Sequence, residues 1–206
     1  MRTTLAFLAA VAATVLVAGA TAARPAVTIS ASRPTVVYGG SVNLSGKVST
    51  NNPGESVQVM AQAYPATGFS ALASSVATAN GGQWTDTVTP TVQTSYEAHW
   101  KSSTSRSVTV KVRPLITLTS VNVTANATFS TKVTAARAFT GNWVNVQRLT
   151  SSGALTVKKV KLDSNSSATF HVRLHPGRNR LRVVMPSAQA APGYVSGASK
   201  VLRVTR

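Results

Sequence analysis

Cysteine is missing from all 206 residues. That absence excludes a disulfide framework, a thiolate metal site, a catalytic thiol and lipid attachment through cysteine. Acids are nearly as scarce, with only Glu55, Asp86, Glu97 and Asp163 in the chain. Four dispersed carboxylates do not supply the clustered acid and base that general acid–base catalysis requires. Histidine is confined to His99, His171 and His175. The four-residue spacing of His171 and His175 spans about 13 Å on a strand, too far to share one ion held by bonds of about 2 Å. There is no Gly-x-Ser-x-Gly elbow and no Gly-rich phosphate loop. Glu97 and His99 share a strand face, but a triad also needs a nucleophile and an oxyanion donor. No catalytic, cofactor-binding or metal-ligating residue is assigned, and the chain is expected to be neither an enzyme nor a cofactor carrier.

Residues 1–22 have the pattern of an export signal. Arg2 gives a positive start, Leu5 to Ala20 is apolar, and Ala20-Thr21-Ala22 offers small residues for cleavage. The apolar run falls short of the roughly 20 residues that a membrane span needs. A secreted protein, extracellular or associated with the cell surface and without a span in its mature chain, is expected. With no covalent staples, its stability must come from apolar packing and sheet pairing.

Beyond the signal, short Val- and Thr-rich runs alternate with Gly, Pro, Asn and Ser clusters, which is the pattern of an all-β chain. Val57-Gln58-Val59 and Phe170 to Leu174 alternate apolar with polar residues, so one face of each strand is buried. No amphipathic helix pattern of useful length occurs.

The pattern is written twice, at a spacing of just under 90 residues. Ser41 to Val48 corresponds to Ala127 to Val133, and Gly54 to Val59 corresponds to Gly141 to Val146. Trp84 to Pro90 matches Phe170 to Pro176. Tyr96, Ala98 and Trp100 match Leu181, Val183 and Met185, and Val110 to Val112 matches Leu202 to Val204. Val57, Val59, Tyr96 and Trp100 are predicted core residues of the first copy. Val144, Val146, Phe170, Val172, Leu181 and Val183 are predicted for the second.

The phrase Val-Tyr-Gly-Gly-Ser-Val-Asn-Leu-Ser-Gly at 37–46, with the repeat around it, resembles the tandem bacterial immunoglobulin-like domains of exported envelope proteins. The resemblance implies two antiparallel immunoglobulin-like β-sandwiches after a cleaved signal peptide, at 24–112 and 113–206. It implies no active site, because such sandwiches serve as spacers, adhesive modules or accessories. The second copy replaces the Gly-Gly turn by Thr124-Ala125-Asn126, which leaves the shape of its first turn open. Pro114 makes the linker short and stiff, and a rod rather than a globule is expected.

Charge is concentrated in the second copy. Residues 24–112 carry six Lys/Arg and three acids, whereas 113–206 carry fourteen and one. The candidate polyanion-binding residues are Lys158, Lys159, Lys161, Arg173, Arg178, Arg180 and Arg182. In an immunoglobulin-like order the strand of Lys158 to Lys161 is expected to pair with that of Arg173, with Arg180, Arg182 and Arg203 on the opposite sheet. Charge would then wrap the module. Such a surface suits retention on an anionic envelope polymer or a surface protein better than sequence-specific nucleic-acid binding. Trp143 is out of phase with Val144 and Val146 and points outward, either as a ligand platform or packed over a neighbouring loop.

The expected function is a secreted structural or adhesive protein at the cell surface. Two other readings stay open. One is a dedicated binder of nucleic acid or acidic polysaccharide, and the other is a non-catalytic accessory of an exported enzyme.

Overall fold

Alternating β-branched residues have no helical stripe to bury, so they pair into strands and close two faces over a core. The computed structural model describes residues 26–206. The expected export signal at 1–22 lies outside the described residues.

The first half contains β1 (Ser30–Ala31), β2 (Thr35–Val37), β3 (Val42–Lys47), β4 (Ser56–Ala63), β5 (Ser70–Ala77), β6 (Gln83–Val88), β7 (Thr94–Trp100), β8 (Ser103–Thr104) and β9 (Val108–Arg113). They form one sheet ordered β1-β3-β6 and another ordered β2-β9-β7-β4-β5, with β8 on β7. The second half contains β10 (Leu115–Asn122), β11 (Asn126–Thr134), β12 (Trp143–Thr150), β13 (Gly153–Lys161), β14 (Ser167–Arg173), β15 (Arg178–Met185), the single helical turn α1 (Ser187–Ala190), β16 (Gly197–Ala198) and β17 (Leu202–Thr205). Its sheets are β10-β11-β14 and β13-β12-β15, the latter extended by β16 and β17, both on β15. Among the described residues no helix is long and apolar enough to cross a membrane.

The repeat is visible strand for strand. β3 pairs β6 as β11 pairs β14, and β4 pairs β7 as β12 pairs β15. Gly54 and Gly141 lead into β4 and β12 at φ 77 and 78, a left-handed turn conformation that glycine adopts without steric cost. Every predicted core residue of both copies is buried. Burying a Val, Leu or Phe side chain contributes about 1.5–3 kcal/mol, so this alternation holds the sandwiches together.

The copies differ at their first strand. Pro34 interrupts it in the first half, so β1 pairs β3 while β2 crosses to lie parallel to β9. Gly39-Gly40 then turns the chain back to β3. The second half has no proline between 115 and 123, and β10 runs unbroken against β11. Losing Gly-Gly therefore accompanies a plain hairpin in place of a strand that switches sheets.

Only Pro114 separates β9 from β10, and it is buried. The 186–197 segment of the second half folds back onto the first. Gln93 N donates to Gly193 O at 2.9 Å and Val195 N donates to Val112 O at 3.0 Å. Tyr194 Oη donates to Thr91 O at 2.7 Å and accepts from Ala136 N at 3.0 Å, which links both halves through one hydroxyl. Arg137 anchors the segment by donating to Ala190 O and Ala191 O at 2.8 and 2.9 Å, with its guanidinium over the Phe139 ring. Gly193 sits at φ 81, and a Cβ there would lie 2.8 Å from Val92 Cγ2 and 2.9 Å from Tyr64 Cδ1.

Candidate polyanion-binding face

β12 and β13 are joined by Ser151-Ser152 alone, and a two-residue connection keeps successive strands in one antiparallel ladder. This corrects the expected pairing. The strand of Lys158 to Lys161 pairs with β12, not with β14, and shares a sheet with Arg180, Arg182 and Arg203. The chain crosses to the other sheet only afterwards, at 162–166. There Asp163 Oδ1 accepts from Asn165 N and Ser167 N at 2.8 and 2.9 Å. The single acid of residues 113–206 is thus committed to a turn.

Register assigns the faces. Val144 lies opposite Val160, and both are buried; Asn145 lies opposite Lys159 and Trp143 opposite Lys161, on the outer face. On β15, Asn179, Leu181, Val183 and Met185 point inward, which leaves Arg178, Arg180 and Arg182 outward. Arg180 faces Arg203 across the β15–β17 ladder, and Arg182 Nε donates to Gln147 Oε1 at 2.9 Å. Six cations therefore share one sheet face: Lys159, Lys161, Arg178, Arg180, Arg182 and Arg203.

Lys158 and Arg173 lie apart from this set. Lys158 sits opposite Val146 in the inward phase, at the sheet edge, and its Nζ donates to His171 O at 3.2 Å. Arg173 is on β14, opposite Asn126, in the other sheet. The seam between them is filled by Arg148, which donates to Arg173 O at 2.5 Å and bonds His175 Nε2. Its inward position was legible from the alternation of Val144 and Val146, although sequence reasoning passed it over. His171 bonds Thr128 through Nδ1 at 3.0 Å, so the two histidines have different partners. Among the described residues no three of His, Asp and Glu form a group that could hold a metal ion.

The equivalent face of the first half has another chemistry. Gln58 lies opposite His99 and Met60 opposite Glu97, and His99 Nε2 is 3.7 Å from Glu97 Oε2. Elsewhere in that half Glu55 accepts from Trp100 Nε1 at 3.1 Å and pairs with Lys101 Nζ at 3.3 Å. The Trp100 hydrogen bond holds the Glu55 carboxyl below its ordinary pKa, opposed by desolvation and aided by Lys101. Two of the three acids of the first half, Glu55 and Glu97, thus meet a cation, a donor or a histidine, whereas the charged residues on the outer face of the second half are all basic.

Trp84 and Trp100 are buried, as their phase predicts, and Trp143 is 45% exposed. It stands at the head of β12 beside α1. Asn142 Nδ2 donates to Gln189 O and Trp143 N donates to Gln189 Oε1, both at 2.9 Å. Trp143, Asn145, Lys159, Pro186, Ala188 and Gln189 line an open cleft between sheet face and helical turn.

No protein-family model matches the sequence, and no curated protein matches it. Among solved structures the chain is similar to the chicken interferon gamma receptor alpha chain, at TM-score 0.50 and 9% identity over 88% of this chain and 98% of that one. A segment of two fibronectin type III domains from chicken tenascin matches at 0.46 and 12%, over 85% and 95%. The C-terminal 282-residue fragment of intimin, solved with the intimin-binding domain of its translocated receptor, matches at 0.43 and 12%, over 86% and 62%. With the strand order above, the first of these establishes the fold: immunoglobulin-like β-sandwiches in tandem.

Proposed function

We propose that the protein is a secreted, non-enzymatic structural or adhesive protein of the cell surface, built from modules at 24–112 and 113–206. The outer face of β12, β13, β15 and β17 retains it on anionic polymers. One observation carries this reading: six cations lie on a single sheet face whose register brings no acid among them. Among the described residues the only carboxylates paired with a cation or histidine are Glu55 and Glu97, both in the first half. A face of one sign attracts polyanions over several ångströms and releases their counterions on contact, which gives affinity without a sequence or shape code.

The test is a salt titration of polyphosphate binding by the full chain. Log affinity should fall linearly with log salt. The quadruple variant K159Q/K161Q/R180Q/R182Q should flatten the slope by about 3 to 3.5, because each neutralised anion contributes about 0.7–0.9. The double variant K158Q/R173Q, which spares the face, should shift the slope by less than half as much. Equal flattening per charge in both variants would remove the face as a site, and salt-insensitive binding would remove the counterion mechanism.

A further inference from the structure

The cleft at Trp143 joins three chemistries that a row of cations alone does not need. The Trp143 indole presents an exposed apolar plate at the end of the basic face. Pro186 and Ala188 add an apolar wall to the cleft, and their segment is fastened to the start of β12 and the residue before it by the two hydrogen bonds from Asn142 and Trp143 to Gln189, so the cleft does not depend on a ligand to assemble it. Lys159 reaches the same cleft, and Lys161 lies directly across the ladder from Trp143. Gln189 accepts from Trp143 N through its Oε1, and its side chain and the Asn145 amide supply polar groups to the lining of the cleft. Concave sites of this kind bind through apolar surface and take their orientation from a few polar groups.

We infer that this cleft is a subsite for one pyranose ring of an acidic polysaccharide. The ring stacks its C–H face on Trp143, directs hydroxyls to Asn145 and Gln189, and places its carboxylate toward Lys159. The inference rests on the polyanion reading above and deepens it. A sugar ring fits better than a nucleobase because the face carries one aromatic, whereas single-stranded nucleic acid is tracked by successive stacking platforms. A polyphosphate chain would satisfy the lysines and leave the indole, the apolar wall and both amides unused.

The experiment compares the full chain with W143A on three probes at matched ionic strength: polygalacturonate, polyphosphate and oligothymidylate. W143A should weaken polygalacturonate binding on the order of tenfold, with polyphosphate affinity unchanged. W143F should recover most of the loss. Polygalacturonate should also quench indole fluorescence in the wild type and not in W143A, since Trp84 and Trp100 are buried. Circular dichroism and an unchanged urea midpoint establish that W143A is folded before the binding arms are compared. An equal loss on polygalacturonate and polyphosphate, or no loss on either, overturns the subsite while the basic face stands. A larger loss on oligothymidylate overturns the sugar in favour of a base. If the wild type binds none of the three, the polyanion reading falls and the subsite falls with it.

Discussion

At Gly46 the missing side chain sets how closely two backbones approach. Gly46 lies opposite Trp84 in the β3–β6 ladder, and a Cβ there would collide with the Thr28 carbonyl and come within 2.7 Å of Trp84 Nε1. Gly46→Ala should cost about 3 kcal/mol, because strand backbone and a buried indole cannot both give way. Gly68→Ala, where a Cβ meets nothing within 4 Å, should stay within about 0.5 kcal/mol. Urea midpoints of the two variants check the contrast, and equal midpoints would refute it. The tyrosines make a separate claim at this scale. Burial pushes the Tyr96 and Tyr194 phenols above their ordinary value; for Tyr194 the Ala136 N–H and Arg137 oppose the shift. A raised folded pKa means the neutral phenol is favoured in the native state. That contribution is complete below about pH 10, the unfolded value, and is lost as pH rises through the folded one. Thermal stability should fall above that pH, and Tyr194→Phe should lessen the fall. The same variant should lose about 1–3 kcal/mol at neutral pH, since Ala136 N is left without its acceptor.

Strands and turns show where linear pattern stops being informative. Period-two alternation marked the inward residues of β4, β7, β12, β14 and β15, because it reports which face of a strand meets the core. It does not report which strand lies alongside. The partner of β13 depends on the Ser151-Ser152 turn, and a fold-level template assigned it to the wrong sheet. The same difficulty hid the basic face, since Lys159 and Arg182 become neighbours only through β12. The turn after β13 carries its own prediction. Asp163→Ala removes an acceptor shared by two backbone N–H groups and should lower stability by about 1–2 kcal/mol, whereas Asp163→Asn, which keeps an Oδ1, should restore most of it. Chemical denaturation distinguishes the two. Neither variant should alter the salt slope of polymer binding by more than about one, because only one charge changes.

Across the whole molecule the decisive contact is made by residues that read only as a turn. Pro192-Gly193-Tyr194 announces a reversal of the chain, but nothing in the linear order says that the reversal docks on Tyr64, Thr91 and Val92, about 100 to 130 residues earlier. Gly193→Val should undo this docking, because valine fits neither the positive φ nor the space. We expect faster proteolysis near Arg113-Pro114 and a wider distribution of shapes in small-angle scattering, with strand content by circular dichroism retained. Unchanged proteolysis and scattering would show that Pro114 alone holds the joint. The docked segment also gives the joint a mechanical sense. Bending that presses the 186–197 segment onto the first half meets packed side chains, whereas bending the other way must pull apart the bonds at Gln93, Thr91 and Val112. Under a sideways load the two directions are therefore unequal. The joint behaves as a strut in one and as a latch with a breaking point in the other.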